Sequence, residues 1–294
     1  MRDPPSLVAG LACWHGRVEP QPIAGGITNL NFSVVDRGRR YFVRIGEDIP
    51  VHGIVRATEL AASRAAHAAG VAPAVVHVEP GAVVLDFIDG RMLSAVDVRD
   101  PRNLGRIVEL VQRCHRGIPQ HLRGPAAMFW VFHVVRDYGH TLSEGNSRHV
   151  ARLPGLLAAA ARLEKALGPV DIVFGHNDLL PTNFIDDGKR LWLVDWEYAG
   201  FNTPLFDLGG LASNNEFPPE LCRSLLEAYF GRAVDEELQR RFAAMTAASL
   251  LRETMWSMVS EIHSRIDFDY VAYTATNLAR FESAFAAFGD LDGA

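Results

Sequence analysis

Two neighbouring segments, FGHNDLLPTNFI (residues 174–185) and LWLVDWEYAG (residues 191–200), constrain this chain more than any other feature. Between them Asp187 and Gly188 supply turn chemistry, so the short apolar runs on either side predict a β-hairpin. A hairpin centred there returns Asp195, at the end of its second strand, to the side of Pro181–Asn183. Asp178, Asn183 and Asp195 then converge although they are apart along the chain. Phosphoryl transfer from a nucleotide needs this set: one carboxylate to take the proton of an attacking hydroxyl, and oxygen ligands to hold magnesium on the phosphates. His176, Asp178 and Asn183 reproduce the spacing H-x-D-x-x-x-x-N, in which Asp is the base and Asn a metal ligand, and Asp195 takes the place of the second metal-binding carboxylate. A lone Asp after an apolar strand is usually a turn or cap residue, and a lone His is usually structural; the joint pattern, in order and joined by a hairpin, carries the expectation. His176 is assigned to scaffolding of the loop, and Asp207, in FDLGG, to anchoring it by hydrogen bonds.

The rest of the chain divides in two. NFSVV and RYFVRI read as a hairpin around DRGR, and AVVHVE and AVVLDFI as two further strands around Pro80–Gly81. Between the pairs, residues 56–69 carry Ala57, Leu60, Ala61, Arg64, Ala65 and Ala68 at helical spacing, stopped by Gly70. A small antiparallel sheet carrying one main helix is expected over residues 1–88, followed by a short hinge near residues 87–90. Residues 89–294 read as mainly helical. Asp100 and Pro101 form an N-cap and first-turn pair, Leu104, Ile107, Val108 and Val111 share a face, and Gly117 is expected to end that helix. Further helices are expected over residues 153–167 and 235–263, with residues 176–208 as loop and hairpin only.

On the nucleotide side, GGITNLNF (residues 25–32) places glycines before small polar residues and a strand. Gly26 permits close backbone approach to phosphate, and Thr28 and Asn29 add donors. The only lysines are Lys165 and Lys189, so the small lobe has none to pair with phosphates. Arg44, within RYFVRIG, stands in that place and can contact phosphate and carboxylate through two donors at once. Glu59 on the following helix is its expected ion-pair partner. Asp86 and Ile88 would meet adenine at the hinge through backbone groups.

Composition narrows the class without choosing the chemistry. The 294 residues are 48% hydrophobic and 22% charged with a net charge of −6, which suits an ordinary globular core and gives no basic surface for nucleic acid. Cys13, Cys114 and Cys222 lack metal-ligand spacing and cannot all pair, so reduced thiols are expected. No apolar run reaches membrane-spanning length and the N-terminus lacks a signal-peptide core. A soluble cytoplasmic protein is expected, with no nucleic-acid or membrane partner.

GGITNLNF, HNDLLPTNF, DWEYAGFNTPLFDLG and the late IDFDYVAY together resemble the choline/ethanolamine kinases, within the aminoglycoside-phosphotransferase-like superfamily. The resemblance runs from about Ile23 to Phe285, nearly the whole chain. It implies an α+β, two-lobed protein-kinase-like fold and transfer of the γ-phosphoryl group of ATP, with Mg2+, to the hydroxyl of a small amino alcohol such as choline or ethanolamine. It also implies Asp178 as base, Asn183 and Asp195 on the metal, and an arginine like Arg44 on the phosphates. The family's amine pocket is an aromatic cage with carboxylates, suited to cation–π binding; matching the motifs puts Tyr198, Trp256, Phe268 and Tyr273 at cage positions with Glu197 nearby. Many members carry a tryptophan three residues before the one matching Trp256. Here that residue is Glu253, on the same helix face, which trades a π-face for a carboxylate and favours a primary ammonium or a different cation.

Three other readings compete. A kinase for an aminoglycoside, thiamine or a sugar would use the same chemistry. A silent pseudokinase would bind nucleotide or a quaternary amine without turnover, but has no chemical reason to retain Asp178, Asn183 and Asp195 together. A metal-dependent hydrolase built on His176, Asp178 and Asp195 lacks a second histidine cluster, since His133, His140 and His149 are scattered.

Overall fold

The computed structural model describes residues 3–23, 29–264 and 266–293. A short helix α1 (Pro4–Ala9) precedes strands β1 (Gln21–Ile23), β2 (Leu30–Asp36) and β3 (Arg39–Ile45). Helix α2 (Arg56–Ala68) and strands β4 (Val75–Glu79) and β5 (Ala82–Asp86) complete the first lobe. Its antiparallel sheet runs β1-β2-β3-β5-β4. The predicted hairpin is present with Val34 opposite Tyr41 and Asn31 opposite Arg44. One sheet face closes a small core of Val8, Phe32, Val34, Val43 and Val84, as period-two alternation requires.

The second lobe contains β6 (Arg91–Met92), α3 (Ala95–Arg99), α4 (Pro101–His121), β7 (Ala127–Met128), α5 (Val131–Glu144) and α6 (Leu153–Leu167). Next come β8 (Val173–Gly175), β9 (Phe184–Asp186), β10 (Leu191–Leu193), β11 (Gly200–Asn202), α7 (Pro204–Asn214), α8 (Pro219–Phe230), α9 (Glu236–His263) and α10 (Tyr270–Asp292). Strands β9 and β10 form the expected hairpin, with Phe184 opposite Leu193, and β6 extends it on the β9 side. The small sheet therefore ends at Asp86, and the chain joins the hairpin sheet five residues later. Helix α9 is the axis of the lobe: α5, α6, α7 and α10 all pack on it, and residues around its circumference, among them Phe242, Met245, Leu251, Met255 and Val259, are buried.

Two local expectations are corrected. Helix α4 starts as expected, with the Asp100 carboxylate accepting from Arg102 N and Pro101 in the first turn, but it runs through Gly117 and Pro119 to His121. Tertiary burial of His115 and Ile118 outweighs the local stop signal. Residues 204–208 are not loop: they open α7, which Pro204 starts and in which Pro204–Ser213 are all buried. Gly209 is what allows α7 to cross α9 closely, because a Cβ there would lie 2.8 Å from the Thr246 backbone nitrogen.

Candidate active site

The segment between β8 and β9 holds the first two residues of the site. It is fastened from beneath by Asp207, whose position in the first turn of α7 points its carboxylate at the loop. Asp207 Oδ2 accepts from His176 N at 2.8 Å and Oδ1 accepts from Asn177 N at 2.7 Å. His115 Nε2 lies 2.9 Å from the same carboxylate, with its Nδ1 2.7 Å from the Tyr229 hydroxyl. Burial alone would raise the Asp207 pKa, but the His115 hydrogen bond and charge, with further support from His176, hold it below the ordinary carboxylate value. The His176 ring reaches across to Val194 O at 2.9 Å, so it ties the loop to the end of β10. Burial pushes that imidazole below its usual pKa, as a structural neutral ring requires. The scaffolding assigned to His176 and Asp207 is thus visible in their contacts.

Asn183 turns back on the same loop. Its Nδ2 donates to Asp178 O at 2.9 Å, and Val194 N donates to Asn183 O at 3.0 Å. With the amide nitrogen committed to that carbonyl, the side-chain oxygen is the atom left for a cation. Two residues after the β10 end, Asp195 takes a left-handed backbone (φ 71°), a conformation uncommon outside glycine and concentrated at functional sites. Its Oδ1 lies 2.9 Å from Arg44 Nη1. Asp178 itself is half-buried; removal from water pushes its carboxyl well above the ordinary range, opposed by Arg252 and reinforced by Glu253, Asp195 and Glu197. Among the described residues no group of three or more His, Cys, Asp or Glu is arranged to hold a metal. One carboxylate and one amide oxygen beside a polyphosphate is, however, the donor set magnesium takes in nucleotide sites, and Asp195 and Asn183 fit it.

The first lobe reaches this centre through one charge network. Arg44 bonds Glu59 on α2 and pairs with Asp195 across the lobes. Burial disfavours the Arg44 charge, but Asp195, Glu59 and Glu197 outweigh it and raise its pKa above the normal value. Arg56, which the sequence reading did not single out, donates to Glu59 Oε2 at 2.6 Å, to Glu197 Oε2 at 3.3 Å and to Asn29 Oδ1 at 2.5 Å. Asn29 Nδ2 in turn donates to Glu197 Oε2 at 3.0 Å. Asn29, expected to face phosphate, and Glu197, expected beside the amine, thus also link the two lobes, and Glu197 lines a cavity with Tyr198. Gly26 and Thr28 lie outside the described residues. Asp86 and Ile88 share a hinge hollow of about 310 Å3 with Phe87 and Trp192, and the Asp86 side chain is bound by Arg39.

The aromatic positions do gather. Trp256 Nε1 donates to the Tyr198 hydroxyl at 2.9 Å, the Trp256 and Tyr273 ring centres are 6.5 Å apart, and Phe268 lies 5.6 Å from Tyr273. Within the cluster Phe268 is exposed and Trp256 buried, at 42% and 4% exposure. His52, unsuspected from sequence, stacks on Trp256 at 5.0 Å, and burial followed by the positive charges of Arg252 and His263 drives its pKa down to about 3. Glu253 does reach the cluster, but each of its oxygens already has a donor: Tyr273 Oη at 2.7 Å and Arg252 Nη1 at 2.8 Å. Arg252 was also missed, although an arginine inside the apolar run SLLRETMW is a visible anomaly.

Comparison with known proteins meets this geometry. The profile described as "Phosphotransferase enzyme family" matches residues 19–243. A crystal structure described as a choline/ethanolamine kinase family protein from Mesorhizobium loti is 30% identical, superposes with a TM-score of 0.78, and covers 97% of this chain and 96% of its own. This chain belongs to the choline/ethanolamine kinase family. Haemophilus influenzae protein LicA is 25% identical over 94% of this chain and 82% of that one, and mouse ethanolamine kinase 2 is 26% identical over 72% of this chain and 61% of that one. As a member of the family the chain is an ATP-dependent small-molecule kinase, and the protein-kinase-like two-lobed fold expected from the motifs is present. No helix among the described residues is long and apolar enough to cross a membrane.

Proposed function

We propose that this kinase transfers the γ-phosphoryl group of magnesium-ATP to the hydroxyl of a small amino alcohol, with choline and ethanolamine as the reference acceptors. The reading is supported by Arg44 reaching Asp195 from the nucleotide lobe at 2.9 Å, by Asn183 bonding the Asp178 backbone carbonyl, and by the charge of Asp195 acting on the Asp178 carboxyl. In that arrangement the acceptor oxygen attacks the γ-phosphorus as the bond to the β,γ-bridging oxygen breaks, ADP leaves, and Asp178 receives the hydroxyl proton. A carboxyl whose proton affinity is raised by burial is suited to that task at neutral pH. Asp195 and the Asn183 side-chain oxygen would hold magnesium, which when bound neutralises the charge of the phosphates. Arg44, kept charged by Asp195 and Glu59, contacts phosphate oxygens, and the backbone of Asp86 and Ile88 lines the adenine side. The names of the relatives, choline/ethanolamine kinase family protein and ethanolamine kinase, support an amino alcohol over an aminoglycoside or sugar, and the clustering of Tyr198, Trp256, Phe268 and Tyr273 supports an acceptor pocket at the α9–α10 junction. A screen of ADP release with magnesium-ATP against choline, ethanolamine, methylated ethanolamines, thiamine and aminoglycosides tests the reading. Amino alcohols should lead, and EDTA should abolish turnover; a leading aminoglycoside, or turnover that survives EDTA, would overturn it.

A further inference from the structure

The residue before the proposed base has an uncommon backbone. Asn177 is left-handed, with φ 65°, and it is buried. A residue other than glycine keeps that conformation only where its surroundings over-determine it. Here they do. Asn177 N donates to Asp207 Oδ1 at 2.7 Å, its Nδ2 donates to the carbonyls of Tyr198 and Gly200 at 3.0 and 3.2 Å, and its Oδ1 accepts from Asn202 Nδ2 at 3.2 Å. Asp178 follows directly, and its carbonyl is pinned in turn by Leu180 N and Asn183 Nδ2, both at 2.9 Å. The direction of the Asp178 side chain is thus set by a turn that can relax if its anchor moves. That anchor, Asp207, is itself held from further away. Both ring nitrogens of His115 on α4 are used, Nε2 against Asp207 Oδ2 at 2.9 Å and Nδ1 against the Tyr229 hydroxyl on α8 at 2.7 Å. Gln112 Nε2 donates to Tyr229 O at 2.9 Å and ties the tyrosine backbone to α4. Tyr229, His115, Asp207 and Asn177 therefore form an unbroken line of hydrogen bonds from α8 to the residue beside the base, and all four are buried. Without water to replace a lost bond, breaking such a line at one point frees the next group to turn.

We propose that His115 and Tyr229 are positioning residues for the phosphoryl transfer: they hold the Asp207 carboxylate in the orientation that keeps Asn177 left-handed and Asp178 aimed at the acceptor hydroxyl. The inference rests on the kinase reading with Asp178 as base, and adds α4 and α8 to the elements that control it. Both residues act through Asp207, so their loss falls on turnover and leaves the binding of nucleotide and acceptor intact. Asn177 is the point at which the line meets the chemistry. Glycine adopts a left-handed backbone without strain, so a glycine there has no need of a distant brace.

The test is steady-state kinetics of Y229F, H115L and H115Q with magnesium-ATP and whichever of choline and ethanolamine turns over faster. Y229F removes one oxygen and keeps the ring, so it folds and decides the matter even if H115L does not. One hydrogen bond of ordinary strength predicts that kcat falls about three- to tenfold in Y229F, with both KM values unchanged. H115L, which leaves Asp207 without its partner, should lose about tenfold to a hundredfold. H115Q, whose amide can donate where Nε2 does, should recover most of that loss. In an N177G background Y229F should have little further effect on kcat. Wild-type kcat in Y229F, KM losses as large as those in kcat, or an equal Y229F effect with and without N177G would overturn the inference. Turnover that D178N leaves unchanged would instead remove the assignment of the base on which it rests.

Discussion

Arg44 shows how little of this site is independent of its neighbours. Its guanidinium is the cation between Glu59 and Asp195, and Arg56 braces the other oxygen of Glu59. Removing one partner from such a buried set leaves carboxylates uncompensated, which typically costs about 3–5 kcal/mol. R44M should therefore lower unfolding free energy by about that amount and weaken nucleotide binding, while R44K, which keeps the charge but not the fork, should recover part of both. Chemical denaturation together with nucleotide titration reads the two effects; a variant as stable as wild type would mean that the network adds nothing to folding. Asp178, Asn183, Asp195, Arg44 and Glu59 were legible in the sequence because each lies in a short motif with a fixed spacing or on adjacent elements. His115, Arg56 and Arg252 were not. His115 meets Asp207 across 92 residues and Arg56 meets Glu197 across 141, and no local pattern encodes a partner at that range. Helical spacing puts Glu253 on the face of Trp256, but no spacing rule encodes the pairing of its carboxylate with the neighbouring Arg252.

At the scale of elements, two apparent stop signals failed for the same reason. Gly117 and Pro119 lie inside α4, and the PLFDLGG run begins α7 where loop was expected. Propensity is a matter of tenths to a few kcal/mol, and burial of a helix face exceeds it. The glycines of α7 serve contact: a Cβ at Gly209 would overlap the α9 backbone at Thr246. Backbone cannot yield as a side-chain tip can, so G209A should destabilise the protein by about 1–3 kcal/mol. Since α7 carries Asp207, which holds the loop at His176 and Asn177, the same variant should lower kcat more than it raises KM for nucleotide. Thermal unfolding and steady-state kinetics measure these outcomes; unchanged stability would show that α7 and α9 can part freely.

For the whole molecule, the buried His52 makes stability depend on pH. His52 sits between α2 and the late helices, within 3.1 Å of Ser260 Oγ and stacked on Trp256. In the unfolded chain its imidazole binds a proton near pH 6.5, but in the folded protein the pKa is near 3. Between these values the unfolded state holds more protons, so acidification favours unfolding, by up to about 1.4 kcal/mol per pH unit from this group. H52F, which keeps a ring against Trp256 and cannot titrate, should show a shallower loss of stability from pH 6.5 to pH 4. Parallel wild-type and variant curves would place His52 in contact with water. Across the whole chain, the two-lobed plan followed from strand spacing and a short hinge, while the internal salt links that hold the lobes in register emerged only from the structure.

In the proposed mechanism Asp178 is the group that receives the acceptor proton. The direct measurement is turnover of D178N with saturating magnesium-ATP and the best acceptor, alongside its nucleotide affinity. Turnover should fall on the order of 10²–10⁴-fold while nucleotide affinity stays near the wild-type value. Turnover within a few-fold of wild type would contradict the assignment of Asp178 as the base.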